Sequence, residues 1–131
     1  MFKSDIRILL IEDDKLLGEA LKEVLVSDGF FVEWVRTPKE AVQIVQRLSI
    51  HGIVSDVMLP QKSGVDLLKE LREVMSEEVP AFLMSGIYKD RNFIKNAIRA
   101  TKAVDFLTKP FEAELLVDFL NQEFEGTFVA D

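Results

Sequence analysis

The sequence predicts a doubly wound α/β fold in which five parallel strands form one sheet, a (βα)5 arrangement within a single domain. Short aliphatic runs alternate along the chain with longer segments whose apolar residues recur at helical spacing. Strict alternation of this kind favours right-handed crossovers onto one parallel sheet. The chain has 131 residues, 48% of them hydrophobic, which is enough for one buried core and short for two domains.

The first two βα units are marked by an apolar run and by two helix starts. Residues 6–11 form a nearly unbroken aliphatic run, which is typical of a central parallel strand covered on both faces. A helix follows from Asp14, its predicted N-cap. Residues 30–35 predict the second strand, and Thr37 followed by Pro38 predicts the N-cap and first residue of the second helix.

The remaining three units repeat this pattern. The sequence predicts strands at residues 53–57, 81–84 and 104–107, and helices at residues 65–72, 92–99 and 115–120. We assign residues 1–124 to the folded domain and residues 125–131 to a C-terminal tail or the start of a linker. The whole predicted architecture is therefore accounted for by five βα units in order.

Composition excludes several classes of site. The chain has no cysteine and a single histidine, His51, which rules out disulfides, thiolate metal sites and multi-histidine clusters. A net charge of −7 opposes direct nucleic-acid binding, because phosphate backbones are held by clustered Lys and Arg. The early apolar run stops at Glu12, so we predict no signal peptide or membrane span and expect a soluble, cytoplasmic protein.

Side chains suited to chemistry follow four of the predicted strands, at the point where each strand ends. Strand one is followed by Glu12 and Asp13, strand three ends near Asp56, strand four is followed by Ser85, and strand five by Lys109. Because the carboxyl ends of parallel strands meet at one edge of a sheet, we expect these side chains to converge there.

The predicted convergence of acids indicates a metal site. Three carboxylates brought together would repel one another unless a cation lay between them. Oxygen ligands without His or Cys suit Mg²⁺. We therefore predict a Mg²⁺ site with Asp13 and Asp56 as direct ligands, the backbone carbonyl of Met58 as a further ligand, and Glu12 acting through water.

The same edge of the sheet is suited to phosphoryl transfer. A carboxylate beside Mg²⁺ and a lysine can attack phosphorus, because both cations offset the negative charge that gathers on the phosphoryl oxygens. Asp56 is the candidate nucleophile and Lys109 the candidate cation. We expect the Ser85 hydroxyl to bond a phosphoryl oxygen after transfer, which would draw the loop after strand four inward.

Four stretches of the sequence, each following or overlapping a predicted strand, resemble response-regulator receiver domains. They are LLIEDD at residues 9–14, SDVMLP at 55–60 with SG at 63–64, MSG at 84–86, and DFLTKPF at 105–111. The resemblance covers roughly residues 5–124. One stretch alone would be a weak signal, but four in this order are specific.

The resemblance implies the flavodoxin-like receiver architecture, Mg²⁺ as cofactor and a phosphohistidine donor on a sensor histidine kinase or histidine phosphotransfer protein. It assigns Ser85 and Phe106 to a switch, in which the aromatic ring turns inward on activation. It also suggests a cis peptide bond between Lys109 and Pro110. The expected partner surface is formed by helix four, strand five and helix five, and we expect no turnover beyond self-phosphorylation and slow self-hydrolysis.

Three other functions compete with this one. A flavodoxin-like FMN carrier needs a Gly-, Ser- or Thr-rich loop after strand one, whereas this loop is acidic. A haloacid-dehalogenase-like phosphatase needs a second aspartate two residues after its nucleophile, where this chain has Met58. The remaining alternative is a receiver-like interaction module that works without phosphorylation.

Overall fold

The structure is a computed structural model and describes residues 2–87 and 90–127. Its five parallel strands are β1 Arg7–Ile11, β2 Phe31–Val35, β3 Gly52–Asp56, β4 Ala81–Ser85 and β5 Asp105–Thr108. They are ordered β2-β1-β3-β4-β5, so the winding direction of the sheet changes between β1 and β3. The predicted doubly wound parallel sheet is confirmed.

The five α-helices are α1 Lys15–Ser27, α2 Pro38–Arg47, α3 Gly64–Val74, α4 Arg91–Thr101 and α5 Ala113–Glu123. Four of the five, α1 to α4, begin after a residue whose side chain caps the helix. The Asp14 side chain accepts a hydrogen bond from the backbone N–H of Leu17, and the Thr37 side chain accepts one from the N–H of Glu40. Both predicted N-caps are confirmed, with Pro38 at the start of α2.

Each face of the sheet is covered by helices. Leu9 contributes to a core with side chains from α2, α3 and α4, whereas Ile8 and Leu10 contribute to a second core with side chains from α1 and α5. Successive strand residues point to opposite faces, so a continuous apolar run supplies both cores. All five residues of β3 and of β4 are buried, so these two strands are covered on both faces of the sheet.

The observed elements differ from the predicted ones by a few residues at their ends. β3 stops at Asp56, and β4 includes Ser85 as its last residue. Helix α4 runs from Arg91 to Thr101 and is longer at both ends than predicted. Asp90 caps its start by accepting a hydrogen bond from the N–H of Phe93. A short 3-10 helix at Lys3–Asp5 was not predicted.

The end of the described chain packs onto the fold. Phe124 follows α5, is buried, and its ring centroid lies 6.3 Å from that of Phe30. Of the predicted tail, residues 125–127 form a turn, and residues 128–131 lie outside the described residues. The boundary at residue 124 stays a prediction.

Within the described ranges no helix is long and apolar enough to cross a membrane.

Arg72 of α3 donates hydrogen bonds to the end of α4 and to the segment before β4. Its guanidinium donates to the backbone carbonyl of Thr101 at 3.0 Å, to that of Lys102 at 3.3 Å, and to that of Val79. The first two carbonyls lie at the C-terminal end of α4, where helix carbonyls have no partner within the helix. Arg72 therefore caps α4 from a neighbouring helix.

We expect Arg72→Met to lower the free energy of unfolding by about 2 kcal/mol, because hydrogen bonds from a charged donor are lost and partly buried carbonyls lose their partner. Urea unfolding measures this loss. Arg99→Met is the matched control, since Arg99 is exposed on α4. Equal losses in the two variants would show that Arg72 acts as an ordinary surface charge.

Candidate functional site

The strand registers bring the predicted site residues to one edge of the sheet. Ile11 pairs with Ser55, so the next residue on each strand, Glu12 and Asp56, extends from adjacent strands at the same level. Asp56 pairs with Met84 on the other side. This alignment is a consequence of parallel pairing, and it places both carboxylates at the carboxyl ends of the strands.

A lysine bridges the two carboxylates. Lys109, which follows β5, places its Nζ 2.7 Å from Oε1 of Glu12 and in hydrogen-bond contact with Oδ2 of Asp56. Glu12 is 1% exposed and Asp56 is 5% exposed. Two acids at this depth need a compensating cation, because a buried unpaired carboxylate is costly. The ammonium group supplies it.

The electrostatics of this trio favour a charged lysine. Burial raises the pKa of Glu12, as does the nearby Asp56, although the hydrogen bond from Lys109 opposes the shift. Burial lowers the pKa of Lys109, but the hydrogen bonds to Asp56 and Glu12 outweigh it, and the pKa is raised overall. Lys109 therefore keeps its positive charge at neutral pH.

The loop after β3 is held close to Asp56. The backbone N–H of Met58 donates to Oδ1 of Asp56 at 2.9 Å, while the Met58 side chain is 47% exposed. The N–H of Gly64 donates to the Val57 carbonyl at 2.7 Å, which folds the start of α3 back onto the end of β3. Asp56 is thus held by contacts to both of its carboxylate oxygens.

Ser85 and Lys109 are joined through the backbone. Ser85 is fully buried, and its Oγ accepts a hydrogen bond from the N–H of Ile87 at 3.2 Å. Its carbonyl accepts a hydrogen bond from the N–H of Lys109 at 2.9 Å. The peptide bond between Lys109 and Pro110 is cis, as the resemblance suggested. Ser85 is the residue of β4 that follows Met84, the partner of Asp56 in the strand pairing.

Asp13 is placed differently from the prediction of three converging acids. It is exposed, and no group of three Asp, Glu or His side chains in the described parts of the chain is arranged to hold a metal ion. Glu12 and Asp56 converge on Lys109, whereas the side chain of Asp13 is exposed in the loop that leads into α1. The donor set still fits Mg²⁺, which needs only one or two protein carboxylates.

Phe106 of β5 lies inside the molecule. It is 8% exposed, and its ring meets that of Phe93 from α4 edge to face, with centroids 6.3 Å apart. This contact links β5 to α4 on the side of the sheet that carries α2 to α4. The ring of Phe106 therefore already points inward.

Comparison with known proteins identifies the family. The model of the response regulator receiver domain family matches residues 8–121. The chain belongs to this family. The receiver is 34% identical over 109 residues to the response regulator protein TodT of Pseudomonas putida, covering 82% of this chain and 46% of TodT. The chain thus spans about half the length of the curated relatives it matches.

Solved structures agree with this assignment. The receiver domain of the Francisella response regulator 1452 has a TM-score of 0.84 and 25% identity, covering 93% of this chain and 98% of that one. A BeF3-activated DrrB receiver domain has a TM-score of 0.81 and 26% identity, covering 95% and 99%. The protein contains a receiver domain of two-component signalling, a signalling module and not a classical enzyme.

Two contacts of the receiver's acidic loop were missed at the sequence level. Trp34 is the only tryptophan, and its Nε1–H donates to the Glu12 carbonyl at 3.0 Å. Arg36 donates to the Asp13 carbonyl. Their place in the sequence could have indicated these contacts, since both residues lie at the end of β2, the strand beside β1.

Proposed function

We propose that this receiver is a phosphorylation-dependent switch in which Asp56 accepts a phosphoryl group in the presence of Mg²⁺. The observation that carries the proposal is the Lys109 ammonium group bound to two buried carboxylates, Glu12 and Asp56. Buried groups of opposite charge that contact one another at the carboxyl edge of a parallel sheet are typical of a functional site. Family membership supports the same role.

The reaction needs few protein groups. A carboxylate oxygen of Asp56 would form the new O–P bond while the P–N bond to the donor histidine breaks. The electron pair of the P–N bond would return to the imidazole nitrogen. Lys109, whose pKa is raised, would keep its positive charge and would neutralise the phosphoryl oxygens in addition to Glu12 and Asp56. In slow self-hydrolysis, water would attack phosphorus and the O–P bond to Asp56 would break, which releases inorganic phosphate and returns the carboxylate.

Asp13 and Asp56 would hold Mg²⁺ with the backbone carbonyl of Met58, and Glu12 would act through a bound water. When bound, the ion would supply positive charge that offsets the charge of the phosphoryl oxygens. All of these donors are oxygen atoms, the ligands that Mg²⁺ prefers. The exposed position of Asp13 leaves its carboxylate accessible to an ion that arrives from solvent.

The readout would pass through Ser85 and Phe106. The Ser85 hydroxyl is one residue beyond the β3–β4 pair that includes Asp56, so a bond to the phosphoryl group would pull on the loop leading to α4. Phe106 contacts α4 through Phe93 and would follow that movement. The face of α4, β5 and α5, where Val104 and Leu115 are exposed, would then present a changed surface to a partner.

The upstream partner would be a sensor histidine kinase or a histidine phosphotransfer protein, and the downstream partner a protein or an effector domain. The curated relatives are response and transcriptional regulators about twice as long as this chain. We assign no nucleic-acid binding to the receiver itself, because its net charge is −7.

The test is intact-mass spectrometry after incubation with acetyl phosphate, with and without Mg²⁺. We expect one phosphoryl adduct that requires Mg²⁺ and is lost in Asp56→Asn, whose amide is a poor nucleophile. Asp66→Asn is the matched control, because Asp66 is an exposed carboxylate in the first turn of α3. An adduct that survives in Asp56→Asn would refute the assignment of the acceptor.

The alternative is a receiver-like interaction module that works without phosphorylation. It predicts no adduct under any condition, and no structural response to beryllofluoride. The solved DrrB receiver domain was activated by BeF3, so the same reagent is an appropriate probe here. Failure of both reagents would favour the interaction module.

A further inference from the structure

The acidic loop after β1 is bound from the side by the end of β2. The indole Nε1–H of Trp34 donates to the Glu12 carbonyl at 3.0 Å. The next carbonyl, that of Asp13, accepts hydrogen bonds from Nε of Arg36 at 3.1 Å and from Nη2 of the same side chain at 2.9 Å. The N–H of Glu12 also donates to the Val35 carbonyl at 3.1 Å.

We propose that Trp34 and Arg36 are positioning residues of the metal site, which hold the peptide groups of Glu12 and Asp13 so that their carboxylates are oriented for Mg²⁺. The inference rests on the proposed function. Neither side chain would touch the ion or the phosphoryl group. They would act by fixing the backbone from which the two carboxylates extend.

The indole of Trp34 is fixed from a second direction by α1. Gly18 is buried in this helix, and a Cβ added to it would overlap the Trp34 ring. The ring therefore lies against the bare backbone of α1, between that helix and the carbonyl it binds. This close approach is the reason why the first helix carries a glycine at a position where other residues have higher helix propensity.

Restraint of these carbonyls affects Mg²⁺ binding because the ion tolerates little deviation in the positions of its ligands. The ion requires a near-ideal octahedral arrangement, so an acidic loop that samples several conformations binds it more weakly. Asp13 is exposed and lies beyond the last residue of β1, so the sheet alone does not restrain it. The two side-chain hydrogen bonds from Arg36 restrain its backbone instead.

A charge effect would have the opposite sign, which makes the proposal testable. Arg36 is a cation near a site for a cation, so its charge alone would weaken Mg²⁺ binding, and its removal would strengthen it. Positioning predicts the reverse. The direction of the change in Mg²⁺ affinity for Arg36→Gln therefore separates the two effects.

The first experiment titrates the phosphate-free protein with Mg²⁺ and follows fluorescence. Trp34 is the only tryptophan and contacts the Glu12 backbone, so its emission reports on the loop. We expect Arg36→Gln to weaken Mg²⁺ binding about fivefold, as partners that orient metal ligands typically matter by about tenfold or more when lost. Arg99→Gln removes the same charge from the exposed surface of α4 and should bind Mg²⁺ like the native protein.

The second experiment uses Trp34→Phe, which keeps an aromatic ring against Gly18 but lacks the N–H donor. Its Mg²⁺ affinity is measured by calorimetry, since the variant has no tryptophan. We expect about tenfold weaker binding than in the native protein. Thermal unfolding in metal-free buffer with chelator is the check on folding, and the loss of affinity must exceed any difference in the folded fraction.

The outcomes distinguish the two proposals. Native affinity or tighter binding in both Arg36→Gln and Trp34→Phe, with Mg²⁺ bound normally by the native protein, overturns the positioning role and leaves the proposed function standing. No Mg²⁺ binding by the native protein overturns both. Weaker binding in both variants, with an unchanged Arg99→Gln control, supports the positioning role.

Discussion

Replacement of Gly64 by alanine is expected to lower the free energy of unfolding by about 3 kcal/mol or more, the upper range for overpacking a folded interior. A Cβ at this position would overlap the carbonyl of Asp56 and crowd the backbone of Val57. These are main-chain atoms of a buried strand end, and no flexible side chain can move aside. Either the start of α3 or the end of β3 has to shift.

The same substitution should reduce phosphorylation by acetyl phosphate, because the shift acts directly on the proposed acceptor residue. Urea unfolding and intact mass measure the two effects on one preparation. Gly86→Ala is the control, since its added Cβ would lie 3.4 Å from Cβ of Lys109, an ordinary contact. A Gly64→Ala variant as stable as Gly86→Ala would contradict the close approach of α3 to Asp56.

Lys109→Met should lower stability at pH 7 in metal-free buffer by about 3 kcal/mol, because removing one partner of a buried ion pair leaves uncompensated charge. The Lys109 side chain is 21% exposed, and the side chains of its partners Glu12 and Asp56 are 2% and 8% exposed. Methionine keeps much of the length of the side chain and removes its charge. The lost stability therefore reports mainly on electrostatics.

The loss should shrink as the pH falls from 7 towards 5. The pKa of Glu12 in the folded protein is already raised above 4.5 by burial, and removal of its cation raises that pKa further. A carboxyl group with a raised folded pKa stabilises the fold when protonated, and this contribution is lost as the pH rises through that pKa. Acidification therefore restores part of what Lys109→Met removes.

Urea unfolding at several pH values measures this dependence. Lys102→Met is the control, because Lys102 is 75% exposed and lies 3.8 Å from Glu78 on the surface. It should cost little at any pH. Glu12→Gln introduced into Lys109→Met should recover stability at pH 7 and flatten the pH dependence. A pH-independent deficit in the single variant would show that Lys109 stabilises the fold through packing and not through charge.

The elements that the sequence predicted well are those specified by neighbouring residues. The N-caps Asp14 and Thr37 are formed by hydrogen bonds to residues three positions away, and Pro38 restricts its own backbone. Strand β3 is a continuous buried run, and a few neighbouring residues are enough to recognise its apolar composition. The end of α4 was underestimated because Arg72, remote in the chain, caps it.

The amino-acid sequence by itself determined the succession of strands and helices along the chain, and hence which residues stand at the carboxyl ends of the strands, because periodicity and caps are local properties. Only the tertiary structure decided how those residues meet. The Lys109 to Glu12 contact joins positions 97 residues apart, and Trp34 and Arg36 reach the acidic loop only because β2 lies beside β1. Such contacts depend on strand order, register and side-chain direction together, which no local pattern encodes.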